Sequence, residues 1–131
     1  PEYCVERAGK ILNRFKKALN GSKILILGVA YKQDIDDYRE SPALKIIELL
    51  RVSGAIVSYY DPWIPQYKYH GKITKGITEI TPEQVTGYDL LIITAAHSNV
   101  DYEMLQKYAK AVFDTKNVMK AVVNRENIEV L

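Results

Sequence analysis

A single cysteine among 131 residues rules out an internal disulfide, and two histidines are too few for a Cys/His cluster of the kind that holds zinc. Such cysteine usage fits a reducing compartment, so a cytoplasmic protein is the expectation. Long hydrophobic runs are missing as well. The longest uncharged apolar stretches, Ile24–Tyr31 and Leu90–Ala96, are far too short to cross a bilayer. Neither sign of charge dominates: 18 Lys and Arg stand against 16 Asp and Glu, and a net charge of +2 makes no case for nucleic-acid or membrane partners. No signal peptide is visible, and the chain opens on Pro1 rather than Met, so it reads as a piece of a longer or processed protein. Repeats and low-complexity segments are absent. What is present, 47% hydrophobic and 26% charged residues, is the composition of one globular domain. The scattered tyrosines, ten in all, are expected to pack.

Periodicity sets the elements. Val5, Ala8, Ile11, Leu12, Phe15 and Leu19 recur at spacings of three and four, which predicts a helix over 1–20 stopped by Asn20-Gly21. Its Arg7, Lys10, Arg14 and Lys17 form a solvated face, and Cys4, with no His nearby, is a packing residue. The unbroken apolar run in Lys23–Tyr31 predicts a strand buried on both faces, as in a parallel sheet. Ser41-Pro42 starts a helix over Ala43–Leu50, and Ala55–Tyr60 is the second strand, closed by Asp61-Pro62. Trp63–Gly76 reads as irregular and Gly76–Ile80 as a short third strand. Thr81 and Gln84 make a capping box for a short helix ending by Gly87. Tyr88–Ala95 is a fourth strand, Asp101 caps a helix through Ala109, Ala111–Asp114 is a fifth strand, and Asn127–Leu131 an edge strand. Lys116–Arg125 is ambiguous. The alternation predicts an α/β, Rossmann-like doubly wound fold with a mostly parallel sheet of about five to six strands.

Such folds bind ligands beyond the carboxyl ends of the strands, where strand order reverses. Three segments end there, after the first, fourth and fifth strands. They give Lys32, Arg39, His97 and Lys116 a topological reason to converge. The first segment, Gly28–Pro42, exceeds the usual strand-to-helix connection of about 2–6 residues. It carries Lys32 and Arg39 among Asp34, Asp36, Asp37 and Glu40. A self-contained dinucleotide site is disfavoured, because only Gly28 remains of a G-x-G-x-x-G turn and the bulky Tyr31 sits where backbone should approach pyrophosphate. Asp61 stands where such folds bind ribose, but without the glycines it reads as a strand-ending Asp-Pro turn. A Mg²⁺ site on Asp34, Asp36 and Asp37 is weighed against pairing of those acids with Lys32 and Arg39 or with the next helix start; pairing, with no metal, is the expectation.

These residues support a family resemblance. Gly28-Val29-Ala30-Tyr31-Lys32, Asp37-Tyr38-Arg39-Glu40-Ser41-Pro42-Ala43, Gly54-Ala55 and Tyr60-Asp61-Pro62 resemble the C-terminal domain of the UDP-glucose/GDP-mannose dehydrogenase family. Thr94 with His97, and Phe113-Asp114-Thr115-Lys116-Asn117, fit the same pattern. The resemblance spans nearly the whole chain. It implies a substrate-binding third of an enzyme that oxidises the C6 alcohol of a UDP-sugar to a carboxylate in two hydride transfers to NAD, through a cysteine thioester. In that family an N-terminal Rossmann domain binds NAD and a central helical region dimerises. The catalytic cysteine lies in a Gly-rich segment that nothing here matches, so no catalytic residue is assigned and the piece is expected to be inactive alone.

By the same resemblance, residues 1–20 form an inter-domain linking helix and 21–131 the C-terminal nucleotide-sugar-binding domain. Tyr31 and Lys32 match the aromatic-Lys pair that contacts substrate, and Arg39 matches the Arg that reaches toward NAD. Lys116 stands where the family usually has Arg, and so cannot make the same two-pronged contact. His97 either lines the cleft or is a structural histidine at a helix entry. The start, Pro1–Arg7, resembles the branch oxidising UDP-N-acetylhexosamines. The implied partners are a UDP-sugar, the protein's own N-terminal and central domains, and a second copy in a homodimer. The rival reading is a stand-alone α/β nucleotide-binding or oligomerisation module without catalysis.

Overall fold

The residues most completely withdrawn from water, Ile24–Ile26 and Leu90–Ile93, lie side by side at the centre of one sheet. The computed structural model describes residues 1–131. In chain order its elements are α1 (Glu2–Arg14), β1 (Lys23–Leu27), α2 (Pro42–Val52), β2 (Ile56–Tyr60), β3 (Gln66–Tyr69), β4 (Lys72–Lys75), α3 (Pro82–Thr86), β5 (Leu90–Ile93), α4 (Tyr102–Tyr108), β6 (Val112–Asp114) and β7 (Ile128–Val130). Five strands pair in parallel in the order β2-β1-β5-β6-β7. The chain winds outward from β1 to β2 and, after returning, outward from β5 to β7. The reversal falls between β1 and β5, as the doubly wound reading requires.

Successive side chains of β1 point to opposite faces. Ile24 and Ile26 join a core with Ala8, Ile11 and Leu12 of α1 and Leu44, Ile47 and Leu50 of α2. Leu25 and Leu27 join a second core with Val85 of α3 and Leu105 of α4. Helices on both faces explain the continuous apolar run, since neither face of the strand meets water. Caps follow the sequence signals: Ser41 precedes Pro42 at the start of α2, Thr81 and Gln84 exchange both capping-box bonds, and Asp101 accepts from the Met104 amide at 3.1 Å.

Three expectations change. The first helix ends at Arg14, not Asn20. Lys16 takes a left-handed φ of 59°, its amide bonds the Asn13 carbonyl, and the Lys17 amide bonds that of Leu12. This is a Schellman ending on lysine rather than glycine, so the sequence carried no stop signal there. The second change is in Trp63–Gly76, which is not all irregular: β3 and β4 pair as an antiparallel hairpin around His70-Gly71, both at positive φ. His70 is an unusual residue for that turn. Tyr67 of the hairpin is buried against Tyr59, ring centroids 5.2 Å apart, and against Tyr38 at 5.9 Å, so several of the tyrosines pack together. Finally, Gly76–Ile80 is not a strand. The Gly76 amide bonds Pro65, the Ile77 amide bonds Tyr59, and Ile77 and Ile80 pack against the second core instead of pairing in the sheet. No helix is long and apolar enough to cross a membrane.

Candidate functional site

Gly28 opens the site. It follows β1 at φ 95°, and a Cβ there would lie 2.4 Å from that of Ala95. Only glycine lets the ends of β1 and β5 approach this closely. Beyond that contact lies a concavity of about 290 Å³ lined by Tyr31, Lys32, Gln33, Thr94, Ala96 and Lys116. The Lys32 ammonium sits 5.9 Å from the centroid of the half-exposed Tyr31 ring. Two cations and an aromatic face thus share the crevice at the strand reversal, a set of groups able to attract an anion and stack on a planar ring.

Strand-end aspartates organise the backbone beneath. Asp114, fully buried at the end of β6, accepts from the amides of Lys116 (3.1 Å), Val118 (3.2 Å) and Met119 (2.8 Å). It builds the turn that presents Lys116, with Asn117 at a left-handed φ of 54°. Asp61, buried at the tip of β2, does more than end a strand. Its Oδ2 accepts from the Val29 amide at 2.8 Å and the Ala30 amide at 3.1 Å, and its Oδ1 accepts from Trp63 at 2.8 Å. The amides at the end of β1 are the ones a dinucleotide-binding turn would aim at pyrophosphate. Here a carboxylate of the chain already fills them. This turn does not fit NAD, a second reason beside the missing glycines.

Histidine 97 does not line the crevice. It is buried, with Nε2 at 2.9 Å from Asp61 Oδ2, and its Nδ1 accepts from the Asp34 amide at 2.7 Å. Asp34 is in turn held by Ser98, whose amide and hydroxyl each donate to its carboxylate at 2.9 Å. Those two bonds keep the Asp34 carboxyl below the usual carboxylate range. Asp34 therefore pairs with the β5 loop rather than with Lys32. Tyr102 donates to the His97 carbonyl at 2.6 Å, and burial pushes its phenol up to about 12. Thr94 gives its hydroxyl to the Leu27 and Gly28 carbonyls.

Arg39 lies apart from Lys32 and Lys116. It forks onto Asp37 through Nε (3.0 Å) and Nη2 (3.1 Å) and lines a separate, open concavity with Asp36 and Tyr38. Hydrogen bonding to Arg39 holds the Asp37 carboxyl low. Of the four residues expected to converge, two do so. Sequence reasoning missed the depth of Asp61 and its link to His97. The signal available was weak, a strand-ending Asp and a post-strand His 36 positions apart. A further groove of about 300 Å³, between α2 and the hairpin, is lined by Leu44, Ile47, Tyr67 and Tyr69 and lies off the strand ends. Cys4 is half-buried against the first core.

Known proteins share this fold. The profile of the UDP-glucose/GDP-mannose dehydrogenase family, UDP binding domain, matches residues 25–121. A UDP-N-acetyl-D-mannosamine dehydrogenase of Methanocaldococcus jannaschii is 34% identical over 134 residues, covering 96% of this chain and 28% of the relative. One from Pyrococcus horikoshii is 33% identical over 102 residues, 74% of this chain and 22% of the relative. Among solved structures, the UDP-N-acetyl-mannosamine dehydrogenase Cap5O of Staphylococcus aureus superposes with a TM-score of 0.70 at 31% identity, over 99% of this chain and 29% of that one. The NDP-N-acetyl-D-galactosaminuronic acid dehydrogenase of Methanosarcina mazei gives 0.72 at 27% identity, over 98% of this chain and 27% of that one. The chain thus spans less than a third of the length of these relatives. With strand order and family profile in agreement, the chain belongs to the UDP-glucose/GDP-mannose dehydrogenase family, as its UDP binding domain.

Proposed function

We propose that this chain forms the UDP-sugar-facing wall of an NAD-dependent nucleotide-sugar 6-dehydrogenase, which oxidises a C6 alcohol to a carboxylate. The observation that carries the reading is the crevice at the β1/β5 reversal, where Lys32 and Lys116 meet beside Tyr31. Two ammonium groups match the charge of a diphosphate, and an exposed aromatic face suits a base or sugar ring. Lys116 acts there as a point charge, a weaker clamp than the arginine usual in the family. Named relatives act on UDP-N-acetylated hexosamines, which supports a substrate of that class.

This wall binds and orients; the oxidation belongs to parts of the protein beyond these residues. The β1 turn is filled by Asp61, and Cys4 is half-buried against the first core in a stretch that is not Gly-rich. NAD is therefore held mainly by another domain, with Arg39, exposed and away from the crevice, available to reach it. Residues 1–20 link this domain to the rest, and the assembled enzyme is a homodimer joined through its central region.

Calorimetric titration of the chain with UDP, UDP-N-acetylhexosamines and NAD tests the reading. The expected result is weak binding of UDP and its sugars, reduced about tenfold by Lys32→Ala, with little NAD binding. Tight NAD binding, or UDP binding indifferent to Lys32, would overturn it. Upstream coding sequence is a second check: a G-x-G-x-x-G domain and a Gly-rich cysteine segment should precede Pro1.

A further inference from the structure

Histidine 97 is buried, polar and outside the crevice, yet both ring nitrogens are engaged. Nδ1 accepts from the Asp34 amide at 2.7 Å, so Nδ1 carries no proton, and Nε2–H must donate to Asp61 at 2.9 Å. One ring therefore joins the tip of β2, the loop after β5 and the loop after β1. On the β1 loop the contact is with Asp34, which sits at a left-handed φ of 58° and whose carboxylate also takes two bonds from Ser98. Upstream, the Tyr31 amide is fixed by the Asp37 carbonyl at 2.7 Å, and the Ala30 amide by Asp61. Lys32 and Gln33 are the only residues between these anchors. Neither of their side chains makes a hydrogen bond in the loop, so where those side chains stand depends on the anchors on either side.

We propose that His97 is a positioning residue for the nucleotide site: as the Nε2–H tautomer it latches Asp34 to the β5 loop and thereby fixes where Lys32 stands. The proposal rests on the reading of Lys32 as a diphosphate contact, but its first two tests do not. Asp61 supplies the fixed end of the latch, because its carboxylate is already held by three backbone amides. Asp34 supplies the movable end, on an exposed loop. A histidine suits the middle because it offers one donor and one acceptor on a rigid ring.

Long-range ¹H–¹⁵N NMR of the unmodified chain reads the ring directly. A pyridine-type Nδ1 and a protonated, pyrrole-type Nε2 are expected at neutral pH; the opposite tautomer overturns the latch. Hydrogen exchange of His97→Phe, which keeps the ring volume and removes both bonds, should speed the Asp34 amide at least tenfold while Ile26 and Ile92 keep their protection. A folded variant with unchanged Asp34 exchange overturns it. Ser98→Ala, at an exposed position, serves if that variant does not fold, with about threefold faster exchange at Asp34 expected and no change counting against the latch.

The third test is a double-mutant cycle on UDP affinity. His97→Phe should weaken UDP about tenfold, and His97→Gln, which retains a donor and an acceptor, should recover part of the loss. In a Lys32→Ala background His97→Phe should cost nothing further. Full additivity would mean that His97 serves the fold rather than Lys32. If UDP fails to bind the unmodified chain, the function proposed above falls, and the exchange and tautomer results still decide the latch.

Discussion

Two loops at the crevice carry one lysine each, and two buried aspartates hold them in different ways. Asp114 works locally: the three amides it caps lie within five residues of it, in the same turn that carries Lys116. Asp61 works at long range. It reaches across from β2 to amides 31 and 32 positions earlier and to a histidine 36 positions later. A local cap sets the shape of one turn. A long-range cap sets the spacing between loops, so its loss should propagate further.

The comparison can be broken by matched truncations. Asp61→Ala leaves two buried amides, the part-buried Trp63 amide and one imidazole N–H without partners, and we expect a loss of about 4 kcal/mol in urea unfolding, with exchange protection lost in both the β1 and β5 loops. Asp114→Ala should cost less, about 2–3 kcal/mol, and disturb only residues 115–119. Equal costs and equal spread would show that reach in sequence makes no difference. A gentler test concerns the ligand. Lys116→Arg restores a forked donor on a turn that is already ordered, and UDP affinity should rise about threefold by calorimetry. The same turn with unchanged affinity would place Lys116 at the rim.

Acid should act on the periphery of both arrangements, with the smallest effect. Ser98 lowers the Asp34 carboxyl and Arg39 lowers that of Asp37. For Glu129, burial pushes upward, but Arg14 and Arg7 together prevail and the net direction is down. Folded values below unfolded ones mean that this contribution is complete above about pH 5 and is lost as pH falls through about 4 and below. Unfolding midpoints at pH 6 and pH 3 should differ accordingly, and Asp34→Asn should reduce the difference. A midpoint that rises on acidification would contradict the sign.

What the sequence made legible divides along the same line of distance. The apolar runs of β1 and β5 and the caps at Ser41, Thr81 and Asp101 are written in neighbouring residues, and reading them placed the loops of Lys32 and Lys116 at the same end of the sheet, whereas the Asp114 turn lay in a stretch that read as ambiguous. Lys16 as a left-handed helix end and His70 as a hairpin turn residue were not legible, because each sits where another residue type is usual and tertiary packing supplies the difference. His97 was legible as a histidine after a strand, but its burial was not, since that depends on an aspartate from another element. Arg39 was misplaced by topology alone. The loop is long enough for its side chain to turn back onto Asp37.

The carboxylate of Asp61 can also be viewed as a guest tied to its host. The amides of Val29 and Ala30 form an anion receptor, and the chain supplies its own anion at an effective concentration that a dissolved phosphate does not approach. Buffer anions should therefore leave this receptor untouched at ordinary concentrations. On the function proposed above, a diphosphate arriving in the crevice would meet no vacant backbone receptor at the end of β1 and would depend on exposed lysine side chains. Binding through such groups is electrostatic and screened, so affinity for nucleotide should fall steadily as salt is added.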